Sequence, residues 1–575
     1  MRKARSRFGW VVATATLVAS ACGSATPSPS APPTPTPAPV TATPTASPAP
    51  GSACVPATTP VSADWNQRTW YEVFVRSFAD GDGDGIGDLR GLTAKLDYLN
   101  DGDPATTDDL GVGGLWLMPV AQSPSYHGYD VIDYRTVEAD YGTNEDFKAF
   151  VAAAHERGLD VIVDLVMNHT SSEHPWFEDA RTPGSAHDDW YLWATENPGW
   201  LGPDGRVAWH KLDDRWFYGV FWEGMPDLNL RNPAVTAELE DVARFWLTEM
   251  GVDGFRLDAA KHLVEDGKVQ TNTPETLDWL ASFNAATEAA KPGSLLVGEV
   301  WDPPSIAGRY VPGSVDLTFN FGLATGIRLA LQNGRAAPLA TALGDAIAQW
   351  PVNQQASFLT NHDQDRIMSQ LNGDAASARL AAFLLLTGPG VPFVYYGEEI
   401  GMSGRKPDER IRTPMQWSPD GPSGGFSTAA AWQALQEDWA TVNVAAQEGD
   451  PDSLLTAYRD LIRLRTANAA LREGATTVLD GGAEPVIGWL RTTADQVLLV
   501  VVNVGDEPVA DYGLSVAEGP LCGGATARLL GTIGGDPGAP VAAPEVTSGG
   551  GLDGYAPVGT LAPRSGYVIA LEAAP

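Results

Sequence analysis

From about Trp65 to Arg472 the chain alternates between two textures. Short apolar runs, dense in β-branched and aromatic residues, are separated by stretches whose apolar positions recur every three or four residues. Eight runs stand out: "WYEVFVRSF", "GGLWLMPV", "DVIVDLVMNH", "GFRLDAA", "LLVGEV", "VDLTFNF", "SFLTNHD" and "PFVYYGEE". Between the first two, Leu89, Leu92, Leu96 and Leu99 share one face of a predicted helix. A strand followed by a crossover helix, repeated eight times, predicts an α/β fold, a closed (β/α)8 TIM barrel over residues 61–472. The spacing breaks between His169 and Leu230. That Trp- and Gly-rich segment is too long for a βα loop and predicts a small inserted domain after strand 3, at about 170–230. Beyond the helix "LLTAYRDLIRLRTANAALR", the runs "VIGWLRTTADQVLLVVVNVGDEPV" and "SGYVIAL" read as short antiparallel strands, so residues 473–575 are expected to form a C-terminal β-sandwich.

The first 60 residues carry neither pattern. Residues 1–22 combine a basic start (Arg2, Lys3, Arg5, Arg7), a short apolar stretch and small residues ahead of Cys22, the layout of an export signal. The end "ASAC" resembles a bacterial lipobox, which would place lipid on Cys22; ordinary signal cleavage beside an incidental cysteine is the alternative. Residues 23–60 are rich in Pro, Thr, Ser and Ala and cannot build a core, so they read as a tether. The protein is thus expected to be exported, secreted or held at the cell surface by a lipid anchor alone. Two cysteines remain, Cys54 and Cys522, and an oxidising compartment permits either a bridge or two thiols.

Charge narrows the partners. The 575 residues include 72 acids against 37 bases, a formal charge of −35, which excludes nucleic-acid binding through clustered Lys and Arg. A neutral ligand or a cation fits better, and 19 Trp with 15 Tyr would suit flat sugar faces. Within this acidic chain, "DGDGDGIGDL" crowds Asp80, Asp82, Asp84 and Asp88 into nine positions. Their alternate spacing, with the Ile86 carbonyl at the seventh position and Gly at the sixth, matches the first part of a calcium-binding loop. The twelfth position is Gly91 instead of Glu, and the segment follows a strand, so an EF-hand is excluded.

In a barrel, polar residues at the C-terminal strand ends converge on one face and are the catalytic candidates. The third run ends in Asp164, Asn168 and His169, the fourth carries Arg256, Asp258, Lys261 and His262, the fifth Glu299, and the seventh His362 and Asp363. Two carboxyls whose pKa values are driven apart make the acid and nucleophile of a retaining glycosidase. Any single acid could equally be a rim carboxylate or a salt-bridge partner.

Taken together, "DLVMNH", "GFRLDAAKH", "GEVW" and "TNHD", in that order, resemble the conserved segments of the alpha-amylase family, glycoside hydrolase family 13. The resemblance extends to "GVGGLWLMPV", "SYHGYD", "MPDLN" and "GPGVPFVYYGEEIGM". It implies that Asp258 is the nucleophile, Glu299 the general acid/base and Asp363 the transition-state stabiliser. It further implies that Arg256 keeps Asp258 ionised, that His169 and His362 bond sugar hydroxyls, and that Tyr129 stacks on the sugar. Tyr126 and His127 belong to the same binding loop, and Lys261 and His262 would line the leaving-group side. The family's oligo-1,6-glucosidase branch carries a similar acidic loop that binds calcium, which favours calcium at Asp80, Asp82, Asp84, Ile86 and Asp88. A second calcium, on Asn168, Asp227 and the His262 carbonyl, is not expected, since relatives retaining "PDLN" often lack it. "MPDLN" and "RTPMQW" place the chain between the oligo-1,6-glucosidase and neopullulanase subgroups. The expected activity is a monomeric α-1,4-glucan hydrolase acting on starch and maltooligosaccharides. Cyclomaltodextrinase or neopullulanase, oligo-1,6-glucosidase and glucosyl-transferring activities are the alternatives, and a non-catalytic glucan-binding lipoprotein would be expected to have lost an acid or Arg256.

Overall fold

The structure, a computed structural model, describes residues 63–573 other than Asp204 and Cys522. Cys22, Cys54 and Cys522, and with them the lipidation and disulfide expectations, lie outside the described residues, as do the signal and most of the tether.

All eight apolar runs become strands of one closed parallel barrel. They are β1 (Trp70–Val73), β2 (Gly114–Leu117), β3 (Asp160–Leu165), β4 (Gly254–Leu257), β5 (Leu295–Gly298), β6 (Leu317–Phe319), β7 (Gln355–Phe358) and β8 (Val391–Tyr395). Each pairs with its neighbours in sequence, and β1 closes the ring against β8, with Trp70 opposite Phe393. Alternation decides which side chains fill the interior. On β3, Val161, Val163 and Leu165 pack outward into the large cluster under the helices, whereas Ile162 joins Trp70, Trp116, Val297, Phe319 and Phe393 inside the ring. The same period places Asp164 above Ile162 and Glu72 above Trp70, so that the interior becomes polar at its C-terminal end.

The predicted helix after β1 differs in one respect. It forms two short helices, Leu89–Thr93 and Leu96–Leu99, although its four leucines are all buried. Thr93 Oγ1 donates to the Leu89 carbonyl at 2.6 Å, a back-bond that bends helices and fits the break at Ala94 and Lys95.

Between β3 and β4 the chain builds a helix (Pro175–Ala180) and a three-stranded antiparallel sheet from Trp193–Ala194, Trp209–Leu212 and Arg215–Tyr218. Beyond the barrel, a five-stranded antiparallel sheet faces a three-stranded one. Leu490, Leu499, Val501 and Ile569 fill the space between these sheets, and Trp489, Leu498, Val500 and Val568 pack in the barrel's own cluster. The sandwich therefore has two dry faces. At the junction the buried Arg491 and Arg465 donate to backbone carbonyls, including those of Leu471 (2.9 Å) and Leu386 (3.0 Å).

Candidate active site

The strand ends bring their polar residues to one cavity of about 590 Å³. Arg256 is its hub. Projecting from β4 with 1% exposure, its Nη1 donates to Asp164 Oδ1 (2.6 Å) and to Asp258 Oδ1 (2.8 Å), while Nη2 lies 2.9 Å from Glu299 Oε2. The Ala259 N–H donates to the same Glu299 oxygen at 3.0 Å. Asp363 is held on the opposite side by Arg412, whose Nη2 donates to Asp363 Oδ1 at 2.8 Å. Asp258, Glu299 and Asp363 all line the cavity.

The sharing of one guanidinium modifies the sequence reading, which gave Arg256 to Asp258 alone. Burial raises the carboxyls of both Asp258 and Glu299, and Arg256 only partly offsets it. Burial likewise carries Asp164 up to about 7. Asp363 goes the other way: burial would raise it, but His362, Arg412 and Arg256 together hold it at about 2. The cavity thus contains a firmly ionised carboxylate facing two that are held toward the neutral form. Such a set can donate a proton and offer a carboxylate in the same space.

The remaining sequence candidates take four different places. His127, Tyr129, His169, Lys261 and His262 line the cavity. Burial lowers His169 and His262 to about 4, with Lys261 adding to the effect at His262, so both rings are neutral hydrogen-bonding groups near pH 7. Lys261 is drawn aside, its Nζ donating to the Trp301 carbonyl (2.7 Å) and to Asp302 (2.9 Å). His362 lies beneath the cavity, fully buried. Tyr126 stands outside the cavity lining and packs on Trp432 (5.4 Å between centroids) and Phe74 (6.5 Å). Asn168 Nδ2 donates to Asp227 Oδ2 at 3.0 Å, and the Val220 N–H donates to the other Asp227 oxygen, also at 3.0 Å.

Several residues at or beneath the cavity escaped the sequence reading, among them Arg412, Glu72, Phe221 and Trp301. Arg412 had a signal, since it opens "RTPMQW". Glu72 had another, being the single charge within β1. Phe221 and Trp301 line the cavity from the inserted segment and from the residues just after Glu299, and Trp301 stacks on Phe321 at 4.6 Å. Aromatic residues are too common for their positions alone to mark them.

The acidic loop lies beside the barrel mouth. Carboxylate oxygens of Asp80, Asp82 and Asp88 gather within 4.8 Å of one another, and none of the three is ion-paired among the described residues. Asp84 departs from the expectation: it is not in the cluster, and its Oδ1 accepts the Ile86 N–H (2.8 Å) in a local turn. Asp80 Oδ1 accepts from Gly83 (2.6 Å), and Oδ2 from Gly85 (2.8 Å) and the Ser427 hydroxyl (2.5 Å). Burial works against ionisation of Asp80, but these bonds outweigh it and hold its carboxyl below the usual range. Gly85 has φ +100, and a Cβ there would lie 2.2 Å from the Ala430 carbonyl oxygen, so only glycine lets the loop close against the segment around residue 430. The donor set is hard, anionic and convergent, which suits calcium.

Comparison with known proteins follows the same geometry. The sequence model of the alpha amylase catalytic domain matches residues 72–474. Alpha-amylase 3 of Dictyoglomus thermophilum is 39% identical over 445 residues, covering 76% of this chain and 85% of that protein. Trehalose synthase/amylase TreS of Mycolicibacterium smegmatis is 34% identical over 508 residues, covering 76% of this chain and 82% of its own length. Among solved structures, an alpha-amylase from H. orenii superposes with a TM-score of 0.75 at 40% identity, covering 88% of this chain and 99% of that one.

Proposed function

The chain belongs to the alpha-amylase family of glycoside hydrolases, and from that premise we propose that it is an exported enzyme that hydrolyses α-1,4-glucosidic bonds in starch and maltooligosaccharides with retention of configuration. The observation that carries this reading is the pairing of Asp258 and Glu299 on the two terminal nitrogens of one buried arginine, with Asp363 across the cavity. A close carboxyl pair supports double displacement. Glu299, held toward its neutral form, donates its proton to the glycosidic oxygen as that bond breaks. Asp258 attacks the anomeric carbon, and the glycosyl–enzyme ester forms. Glu299, now ionised, takes a proton from water, whose oxygen displaces Asp258. Asp363, ionised at about 2, faces the positive charge that develops on the ring in both steps. Tyr129 provides the stacking face and His169 binds hydroxyls, whereas His362, expected from the sequence to do the same, is buried beneath the cavity against the Tyr129 hydroxyl.

The α-1,4 preference rests on Ala259. It lines the cavity directly after Asp258, and its small side chain leaves the floor of the leaving-group side wide. Dictyoglomus alpha-amylase 3 and the H. orenii alpha-amylase point the same way. Calcium at Asp80, Asp82 and Asp88 would offset two of the three negative charges gathered there. A chromatographic time course on starch, maltotriose, isomaltose, pullulan and cyclodextrin tests the assignment: maltose and short maltooligosaccharides are expected from starch, and faster cleavage of isomaltose than of maltotriose would overturn it.

A further inference from the structure

We propose that Glu72 is a positioning residue: together with His362 it forms a net-neutral pair that keeps a hydrogen on His362 Nε2, so that this nitrogen donates to the Tyr129 hydroxyl and fixes that ring in the cavity wall. The inference rests on the reading of the cavity as a glycosidase site. It starts from three contacts. Glu72 Oε1 lies 2.5 Å from His362 Nδ1, both side chains being almost fully buried. His362 Nε2 lies 2.6 Å from the Tyr129 hydroxyl oxygen. The Tyr129 hydroxyl in turn donates to Asp164 Oδ2 at 3.1 Å.

With Asp164 ionised beside Arg256, counting hydrogens gives the direction of this chain. Asp164 accepts on both oxygens, from Arg256 on Oδ1 (2.6 Å) and from Trp116 Nε1 (3.2 Å) as well as Tyr129 on Oδ2. A tyrosine hydroxyl has one hydrogen. With that hydrogen directed to Asp164, the 2.6 Å contact between Tyr129 and His362 needs its hydrogen from Nε2. At 2.5 Å a carboxylate and a bare ring nitrogen would repel, so a second hydrogen lies between Oε1 and Nδ1. Whichever of those two atoms carries it, the pair is neutral overall.

The surroundings favour that state. Glu72 and His362 are faced by Asp164 from β3, Arg256 from β4, Asp363 from the turn after β7, and Arg412 and Lys406 from the segment after β8, with Tyr395 on β8 itself. Removing the shared proton would add a negative charge beside Asp164 and Asp363 at a pair that is almost fully buried. In agreement, burial pushes the Glu72 carboxyl up and the His362 ring down, each toward its neutral form. Glu72 sits opposite Trp116 and Tyr395 in the barrel register, so its carboxyl has little freedom to turn away.

The test uses the full chain, with Glu72→Leu and Glu72→Gln. Leucine removes the partner and releases the choice of tautomer; kcat on maltotriose is expected to fall about tenfold or more, with KM changed by less than about threefold. Glutamine can give an N–H to Nδ1 as the protonated carboxyl would, and is expected to restore most of the lost rate. Long-range ¹⁵N–¹H correlation on histidine-labelled protein, with the His362 signals identified through His362→Asn, should show Nε2 as the protonated nitrogen in the wild type and in Glu72→Gln. A bare Nε2 in the wild type overturns the proposal. So does a Glu72→Gln variant as slow as Glu72→Leu, because the carboxylate charge would then be what matters. If Glu72→Leu does not fold, the glutamine variant and the tautomer measurement decide. A wild type that cleaves no glucan refutes the functional reading instead, and the tautomer result still stands or falls by itself.

Discussion

Glu299→Gln separates proton donation from every other contribution of that side chain. Glutamine is close in volume, and its amide oxygen can accept both bonds now made to Glu299 Oε2, from Arg256 Nη2 at 2.9 Å and from the Ala259 N–H at 3.0 Å. Stability should therefore change by no more than about 1 kcal/mol, the net worth of one such bond. What disappears is the proton. General acid catalysis contributes about 10² to 10⁴ in rate, about 3 to 5 kcal/mol of barrier, so kcat on maltotriose should drop by that factor. The loss should depend on the leaving group. α-Maltosyl fluoride expels fluoride without protonation, so Glu299→Gln should still form the glycosyl–enzyme from it, whereas Asp258→Asn should process neither substrate. Stopped-flow fluoride release and steady-state sugar analysis measure the two steps. A Glu299→Gln protein with wild-type circular dichroism that kept more than about a tenth of its maltotriose rate would refute the assignment, since the missing barrier could not then have come from this proton.

Chelation should lower the melting temperature and calcium should restore it, because an ion that binds only the folded loop stabilises by mass action. Asp82→Ala should blunt the response, since Asp82 is in the carboxylate cluster while its side chain otherwise accepts the Asp84 N–H in a local turn; an identical melting curve in excess chelator would count against calcium there. Glu398 is buried, and desolvation raises its carboxyl to about 8 despite the Tyr458 hydroxyl bond. The folded chain therefore holds a proton that the unfolded chain releases near its ordinary glutamate pKa, so this contribution is complete at low pH and is lost as pH rises through about 8. Melting temperature should fall across that window and Glu398→Gln should flatten the fall; parallel curves for the two proteins would remove Glu398 as the cause. Ala259 has φ +49, a conformation that disfavours β-branched side chains, so Ala259→Val should cost about 1 to 2 kcal/mol of stability while shifting preference toward isomaltose by about 1 to 3 kcal/mol. An unchanged isomaltose to maltotriose ratio would mean that this floor does not set linkage.

The barrel was legible because its strands are buried on both faces and so appear as continuous apolar runs, and because a helix-length stretch separates each from the next. Site residues were legible where a polar group interrupts such a run at its end, as at Asp164, Arg256 and Asp258. What stayed hidden depended on contacts between distant segments. Nothing in "GFRLDAA" shows that Arg256 serves Asp164 and Glu299 as well as Asp258, because those partners come from other strands. Asp84 has the same spacing as its neighbours, yet it drops out of the cluster. Asp80 and Asp82 accept the N–H two residues on just as Asp84 does, so the local turn is common to all three and the difference lies in where the folded loop carries each side chain, which the letters do not record. The broken helix after β1 is a similar case, since the leucine period survives while Thr93 bends the backbone that carries it.

The shared arginine also bears on how such a charged site can work while buried. In the proposed reaction the starting state has Asp258 ionised and Glu299 neutral. After the first displacement Asp258 is an uncharged ester and Glu299 carries the charge. One negative charge has moved from the carboxyl on Arg256 Nη1 to the carboxyl on Nη2, and the total facing the guanidinium is unchanged. An arginine that contacted Asp258 alone would lose its counter-charge in that step and leave a newly formed anion at Glu299 unpaired, at a cost of several kcal/mol in a desolvated site. Because the fork reaches both, the interior need not be re-solvated as the charge moves: burial raises both carboxyls, and the same guanidinium works against that rise at Glu299 and at Asp258. Asp164, on the third side of the guanidinium, completes the orientation of the fork without taking part in the exchange.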